Sequence, residues 1–308
     1  MSGDAVSFDR VAKRHGRVEA IVDLSMSIDA GEMFGLIGPD GAGKTTAIRI
    51  VCGLIGPDRG AVRVLGFDPL RDHRRLTRSI GYLSQRFSLY VDLSVDENVA
   101  FFAEIHGVRD HVAIRNRLLD LTGLSPFRRR LAGQLSGGMK QKLALACTLV
   151  HEPRIIVLDE PTTGVDPISR REFWKLLAEF VAQGITVLMS TPYLDEAERC
   201  SRVAFLHNGR LLALDTPSAL RATLHGSLFE VIAPDHRQVA LALEGAPGIA
   251  SVHLFGERAH VRLDRDDAGG VGRLTEGLRR AGLGDASVRP IPPSLEDVFV
   301  TRLGEAQS

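Results

Sequence analysis

The chain is 308 residues long and 44% apolar, with 38 basic residues against 38 acidic ones. This length predicts two domains with ordinary cores, and zero formal charge supplies no whole-chain field for nucleic acid or anionic lipid, so no nucleic-acid partner is expected. Cys52, Cys147 and Cys200 lack CxxC spacing and read as reduced thiols, while the lack of a leader or a membrane-spanning apolar run leaves any membrane role to a partner.

Taken in chain order, residues 5–37 read as strands: Val6 and Phe8, then 21–28 in partial alternation, a turn at Asp29-Ala30-Gly31, and the apolar run 33–37. His15 precedes a glycine in the first turn region. It is either a loop histidine or, beside a nucleotide, a group that stacks on the base.

Gly38-Pro39-Asp40-Gly41-Ala42-Gly43-Lys44-Thr45-Thr46 follows that strand and opens a stretch with helical spacing. It fits the P-loop pattern in the strand-to-helix context the pattern requires. Glycines let backbone N–H groups turn inward, the helix N-terminus adds partial positive charge, and Lys44 adds a full one. Thr45 is predicted to ligate Mg²⁺ through its hydroxyl and Thr46 to donate to an α-phosphate. The plain alternative is a glycine-rich turn with Lys44 solvated.

The helix from Lys44 is expected to end at Gly53, with turn chemistry at 56–60, a strand over 61–65 and another over 80–83. Gln85 stands just past that last strand. If the strand lies beside the P-loop strand, Gln85 points at the metal and γ-phosphate; otherwise it is a surface amide. Residues 86–150 read as a helical subdomain: Ser94-Val95-Asp96-Glu97 is a capping box opening a helix to about 106, 112–121 is a second helix, and Arg128-Arg129-Arg130 reads as a solvated face.

Leu135-Ser136-Gly137-Gly138-Met139 leads into a helix whose apolar stripe is Met139, Leu143, Ala146, Cys147 and Val150. Ser136 is at least an N-cap, and with the Gly137 and Gly138 amides it offers a second phosphate-binding helix start. The run 155–160 is a buried parallel strand ending in Asp159 and Glu160. Burying acids there is costly unless something cationic or reactive uses them. Asp159 is predicted to hold Mg²⁺ through water, and Glu160 to polarise the water that attacks the γ-phosphate. Asp166-Pro167 caps the next helix, 185–190 is a further buried strand, and His207-Asn208-Gly209 turns a hairpin.

In this order the motifs resemble those of an ATP-binding cassette ATPase, the nucleotide-binding subunit of ABC transporters, over roughly residues 5–220. The resemblance implies a P-loop α/β fold, a mixed sheet with helices and a helical insert. It also implies that Gly38 to Thr46 are the Walker A loop, Gln85 the Q-loop residue, Leu135 to Met139 the signature, Asp159 and Glu160 the Walker B pair, and Asp166 the D-loop residue. ATP and Mg²⁺ follow as cofactors. A second ATPase subunit and separate permease chains follow as partners, with Ser136 and Gly138 acting in trans, at the inner face of the cell membrane. Three departures stand out. His15 replaces the usual aromatic, Met139 the commonest glutamine, and Pro192 the switch histidine, so slow hydrolysis or an asymmetric pair is an alternative reading. A cassette ATPase acting on ribosomes or DNA is another, although no second cassette or coiled-coil insert is visible.

Residues 221–308 carry no P-loop chemistry. They read as β-α-β-β-α-β, a ferredoxin-like α+β unit, and the ending Pro293-Ser294-Leu295-Glu296-Asp297-Val298-Phe299 resembles the tail of type-2 exporter ATPases.

Overall fold

Three strands open the chain, β1 (Asp4–His15), β2 (Val18–Asp29) and β3 (Met33–Ile37), followed by helix α1 (Lys44–Val51) and strand β4 (Arg59–Val64). The computed structural model describes residues 3–85, 89–265, 267 and 269–307, so the first three residues of the expected helical subdomain lie outside the described residues. Next come α2 (His73–Leu76), β5 (Ile80–Leu83), α3 (Val95–Ile105), α4 (Val112–Leu121), α5 (Gly137–Leu149) and β6 (Ile155–Asp159). Then α6 (Pro167–Ala182), β7 (Thr186–Thr191), α7 (Leu194–Ala197), β8 (Arg202–His207) and β9 (Arg210–Asp215) complete the first of two units, Met1–Leu214.

Two sheets build this unit. β2, β1 and β4 pair in antiparallel fashion, while the larger sheet runs β5-β6-β7-β3-β8-β9, parallel from β5 to β8. The strands β3, β6 and β7 are buried at every position, which is why they read as unbroken apolar runs rather than alternating ones. Parallel strands all end on one edge, and the loops after β3, β5, β6 and β7 gather there.

The condition that ties Gln85 to the γ-phosphate through a place beside the P-loop strand is not met. β5 does not lie beside the P-loop strand β3; β6 and β7 intervene. Two readings of the helical region also change. α5 is buried on all sides from Leu143 to Leu149 instead of along one stripe, because α3, α4, α6 and β5 all pack on it. Arg128 is only half-exposed: its Nε donates to both Asp96 carboxylate oxygens, at 3.0 and 3.1 Å, while Arg129 and Arg130 face water as expected. The capping box at Ser94 and Glu97 is present in both directions. Cys52, Cys147 and Cys200 are free and buried.

The second unit, Asp215–Ser308, holds α8 (Pro217–Ala222), β10 (Leu228–Ile232), α9 (His236–Leu243), β11 (Ile249–Phe255), β12 (Arg258–Leu263), α10 (Gly270–Arg280), β13 (Ser287–Pro290) and α11 (Leu295–Gln307). Its antiparallel sheet runs β11-β12-β10-β13, the ferredoxin-like order. Phe229, Val231, Val261, Leu274 and Leu278 form its core. Among the described residues of the chain, no helix is long and apolar enough to cross a membrane.

Candidate functional site

The loop between β3 and α1 is shaped by glycines that admit backbone where a side chain would not fit. A Cβ on Gly38 would come within 2.2 Å of the Leu206 carbonyl oxygen, and one on Gly43, at φ +103°, within 2.4 Å of the Ala20 oxygen. Only glycine meets both demands at Gly43. The loop and helix start, Asp40 to Thr46, line a cavity of about 400 Å³ together with Val18, Ala20, Gln85 and Glu160. The first N–H groups of α1 open into that space, and aligned peptide dipoles favour an anion there.

Lys44 is 4% exposed. Its Nζ donates to the carbonyls of Gly38 at 2.8 Å and Pro39 at 3.0 Å, and lies 3.2 Å from Glu160 Oε1. A buried ammonium is thus fully partnered, as it must be.

Asp159 ends β6 and is 2% exposed. Its Oδ1 accepts from the Thr45 hydroxyl at 3.1 Å and from Ser190 Oγ at 2.7 Å. Glu160 follows with a left-handed backbone, φ +50°, and its N–H donates to both the carbonyl and the hydroxyl of Ser190 at 3.1 Å. The left-handed turn sends the Glu160 side chain back over the loop, where Gln85 Nε2 donates to its Oε2 at 3.1 Å. Gln85 therefore reaches the site from β5 by way of β6, its neighbour, and not from beside β3. Ser190 read as no more than the end of a strand. Its one sequence signal was a hydroxyl at the C-terminal edge of an apolar run, and nothing local tells which strand it borders.

His15 ends β1 with its Nε2 3.4 Å from the Thr46 hydroxyl, at the flank of the loop. Asp58 fixes that strand end: it accepts from Lys13 Nζ at 2.8 Å and from the Arg14 N–H at 2.7 Å. The Lys13 bond first, then the Arg14 N–H, hold the Asp58 carboxyl below the usual carboxylate range. Where the family pattern has a histidine, Pro192 follows Thr191, whose hydroxyl is taken by Glu196 at 2.7 Å.

The remaining expected residues lie elsewhere. Ser136 and Gly137 are exposed at the start of α5, with Ser136 Oγ accepting from the Met139 N–H at 3.3 Å, and Gly138 packs against Ser169 at the start of α6. Asp166 caps α6 by accepting from the N–H groups of Ile168 at 3.1 Å and Ser169 at 2.9 Å. The Ser169 side-chain bond, then its N–H, lower the Asp166 pKa. None of these four lines the cavity beside Lys44 and Glu160. The chain thus presents two separate glycine-bearing helix starts, one beside the lysine and carboxylates and one with serine.

Comparison with known proteins points to one group. The profile described as ABC transporter matches residues 21–163. The chain is 39% identical over 99% of its length to the probable multidrug ABC transporter ATP-binding protein YbhF of Escherichia coli, spanning about half (53%) of that protein. It is 38% identical over 82% of its length to the Nod factor export ATP-binding protein I of Paraburkholderia xenovorans, covering 84% of it. Among solved structures, an ATP binding subunit of an ABC transporter superposes with a TM-score of 0.64 at 30% identity, covering 71% of this chain and 92% of that one. A dimeric post-hydrolysis cassette, MJ0796 bound to ADP and Pi, gives 0.61 at 26% identity, covering 68% and 98%.

Proposed function

The chain belongs to the ABC transporter ATP-binding family, whose cassettes are ATPases, and from that premise we propose that it binds and hydrolyses ATP as the energy-coupling subunit of an exporter. One observation carries this reading: Lys44, Gln85 and Glu160, from three separate segments, converge on the cavity that the glycine loop lines. Phosphoryl transfer needs little covalent chemistry from the protein and much positioning and charge neutralisation. A polyphosphate in the loop draws the Lys44 ammonium and the α1 amides to itself. Glu160 is then free to accept a hydrogen bond from the attacking water, which Gln85 helps to orient.

The donor set also fits Mg²⁺. The hydroxyl of Thr45, which lines the cavity with Gln85, and the Asp159 carboxylate behind it are hard oxygens 3.1 Å apart, and Mg²⁺ prefers a few such ligands plus waters. The ion's contribution there is neutralisation of the β- and γ-phosphate charge. Ser136, Gly137, Gly138 and Asp166 do not reach their own chain's cavity, which supports a head-to-tail pair in which they meet the partner subunit's nucleotide. The names of the relatives, a multidrug transporter protein and a Nod factor export protein, support export; in this reading separate permease chains carry the cargo and this subunit works at the cytoplasmic face. The ending around Asp297 supports the same class.

A second reading rests on Pro192, which offers neither an imidazole nitrogen nor an N–H to a γ-phosphate. In it the chain is the weakly hydrolysing half of a heterodimer. Turnover by the purified chain, measured beside Glu160→Gln, separates the two: turnover lost in the variant supports hydrolysis by this subunit, and equal residual rates with intact ATP binding support the second reading.

A further inference from the structure

Glu196, on the short helix α7, is 1% exposed and does not line the cavity. Its Oε1 accepts from the Thr162 hydroxyl at 2.6 Å and its Oε2 from the Thr191 hydroxyl at 2.7 Å. Arg170 Nε lies 3.5 Å from Oε1, and the Arg170 guanidinium covers the Tyr193 ring at 4.7 Å. A carboxylate buried this deeply is kept only where such partners surround it.

The partners come from three segments of the site. Thr162 stands two residues after Glu160 in the turn that leads to Asp166, and Arg170 is on α6 just beyond it. Thr191 follows Ser190 at the end of β7. Ser190 therefore grips the front of the 160–166 turn, through the Glu160 N–H and Asp159, while Glu196 grips its back through Thr162. Between the two grips Glu160 holds its left-handed backbone, which a non-glycine residue keeps only when its surroundings impose it. Pro192 has no side-chain donor at this strand end, so the hydroxyls of Ser190 and Thr191 are what it offers to its neighbours.

We propose that Glu196 is a positioning residue for ATP hydrolysis, locking the 160–166 turn to the end of β7 so that the Glu160 carboxylate stays aimed into the cavity. The inference rests on the hydrolytic reading above. Glu196 does not line the cavity; it acts through the Thr162 and Thr191 hydroxyls. A misplaced reactive group costs rate more than affinity, because the phosphate-binding loop is built from other residues.

The test compares the full chain with Glu196→Ala, Glu196→Gln and Thr162→Val, reading ATP turnover, affinity for a fluorescent ATP analogue, and amide hydrogen exchange. Glu196→Ala is expected to lower kcat by about 10- to 100-fold with affinity held within about threefold, since the geometry of attack is lost and the loop is not. Glu196→Gln, which still pairs with both hydroxyls, restores most of the rate. Exchange in 160–166 speeds up in the alanine variant while that of 38–46 stays unchanged. Thr162→Val keeps the shape, removes one bond and shifts kcat in the same direction, so the test survives a Glu196→Ala chain that fails to fold. An unchanged kcat, or affinity and rate falling together with faster exchange throughout the unit, overturns the proposal. A wild-type chain with no turnover removes the hydrolytic reading instead; the exchange of 160–166 in Glu196→Ala then decides the clamp, and an unchanged pattern refutes it.

Discussion

Lys44 and Glu160 form an ion pair, Nζ to Oε1 at 3.2 Å, with side chains 4% and 9% exposed. The cation proposed to bind phosphate and the carboxylate proposed to activate water are thereby each other's partner. Removing either leaves the other buried with one contact fewer, and the two variants should separate binding from chemistry. Glu160→Gln removes a negative charge facing the polyphosphate, so ATP affinity holds or rises while turnover falls by about 100-fold or more, the range of a lost general base. Lys44→Ala weakens ATP by about 10-fold or more, the scale of a charged hydrogen bond. Equal turnover in wild type and Glu160→Gln contradicts the assignment.

The start of α5 can be tested with a substitution that separates capping from phosphate binding. Asp is as good an N-cap as Ser, so Ser136→Asp preserves the helix and its bond to the Met139 N–H. If Ser136 meets a partner subunit's γ-phosphate, the new charge abolishes ATP-dependent dimerisation in light scattering while single-subunit ATP affinity stays unchanged. A variant that still dimerises with ATP confines Ser136 to capping.

Two glycines of the loop should respond differently to the same methyl group. Gly38→Ala puts a Cβ within 2.2 Å of the Leu206 oxygen, so the loop must shift, and ATP binding is expected to be lost. Gly41 has φ +79° but open space around it. Gly41→Ala should therefore cost about 1–2 kcal/mol of backbone strain, read by denaturant unfolding, with binding largely kept.

Pro192→His supplies a ring donor at the end of β7. If the proline is a handicap, turnover rises by about 100-fold, the scale of one transition-state hydrogen-bond donor. An unchanged rate removes the handicap and with it the main argument for an asymmetric pair.

His106 and His151 stack face to face, with ring centroids 3.8 Å apart and planes 5° apart, and His151 Nε2 lies 3.0 Å from the Ile80 oxygen. Burial, then His106, push the His151 pKa down to about 4 from an ordinary value of 6.5, and burial lowers that of His106. Between those pH values the unfolded chain holds more protons than the folded one. The contribution is full above about pH 6.5 and is lost as pH falls towards 4. Melting temperature should decline over that window, and His151→Phe, which keeps a ring without a proton, should flatten the decline. A slope unchanged in the variant counts against the assignment.

Local patterns in the sequence settled what depends on near neighbours. The glycine and lysine spacing from Gly38 to Thr46 marks the glycine loop that opens α1, the Ser94 and Glu97 box marks the start of α3, and the apolar period over 112–121 matches α4, because each follows from contacts within one or two turns. The alternation of strands and helices likewise made the P-loop unit and the β-α-β-β-α-β element succession of the second unit readable. Only the tertiary structure decided which strand borders which. Strand order follows from burying both faces of a parallel sheet, and no local signal encodes it. That order separates β5 from β3 and still delivers Gln85 to Glu160. It brings Ser190 to Asp159 across 31 residues and Glu196 to Thr162 across 34, and side-chain bonds across such distances exist only once the strand ends share an edge.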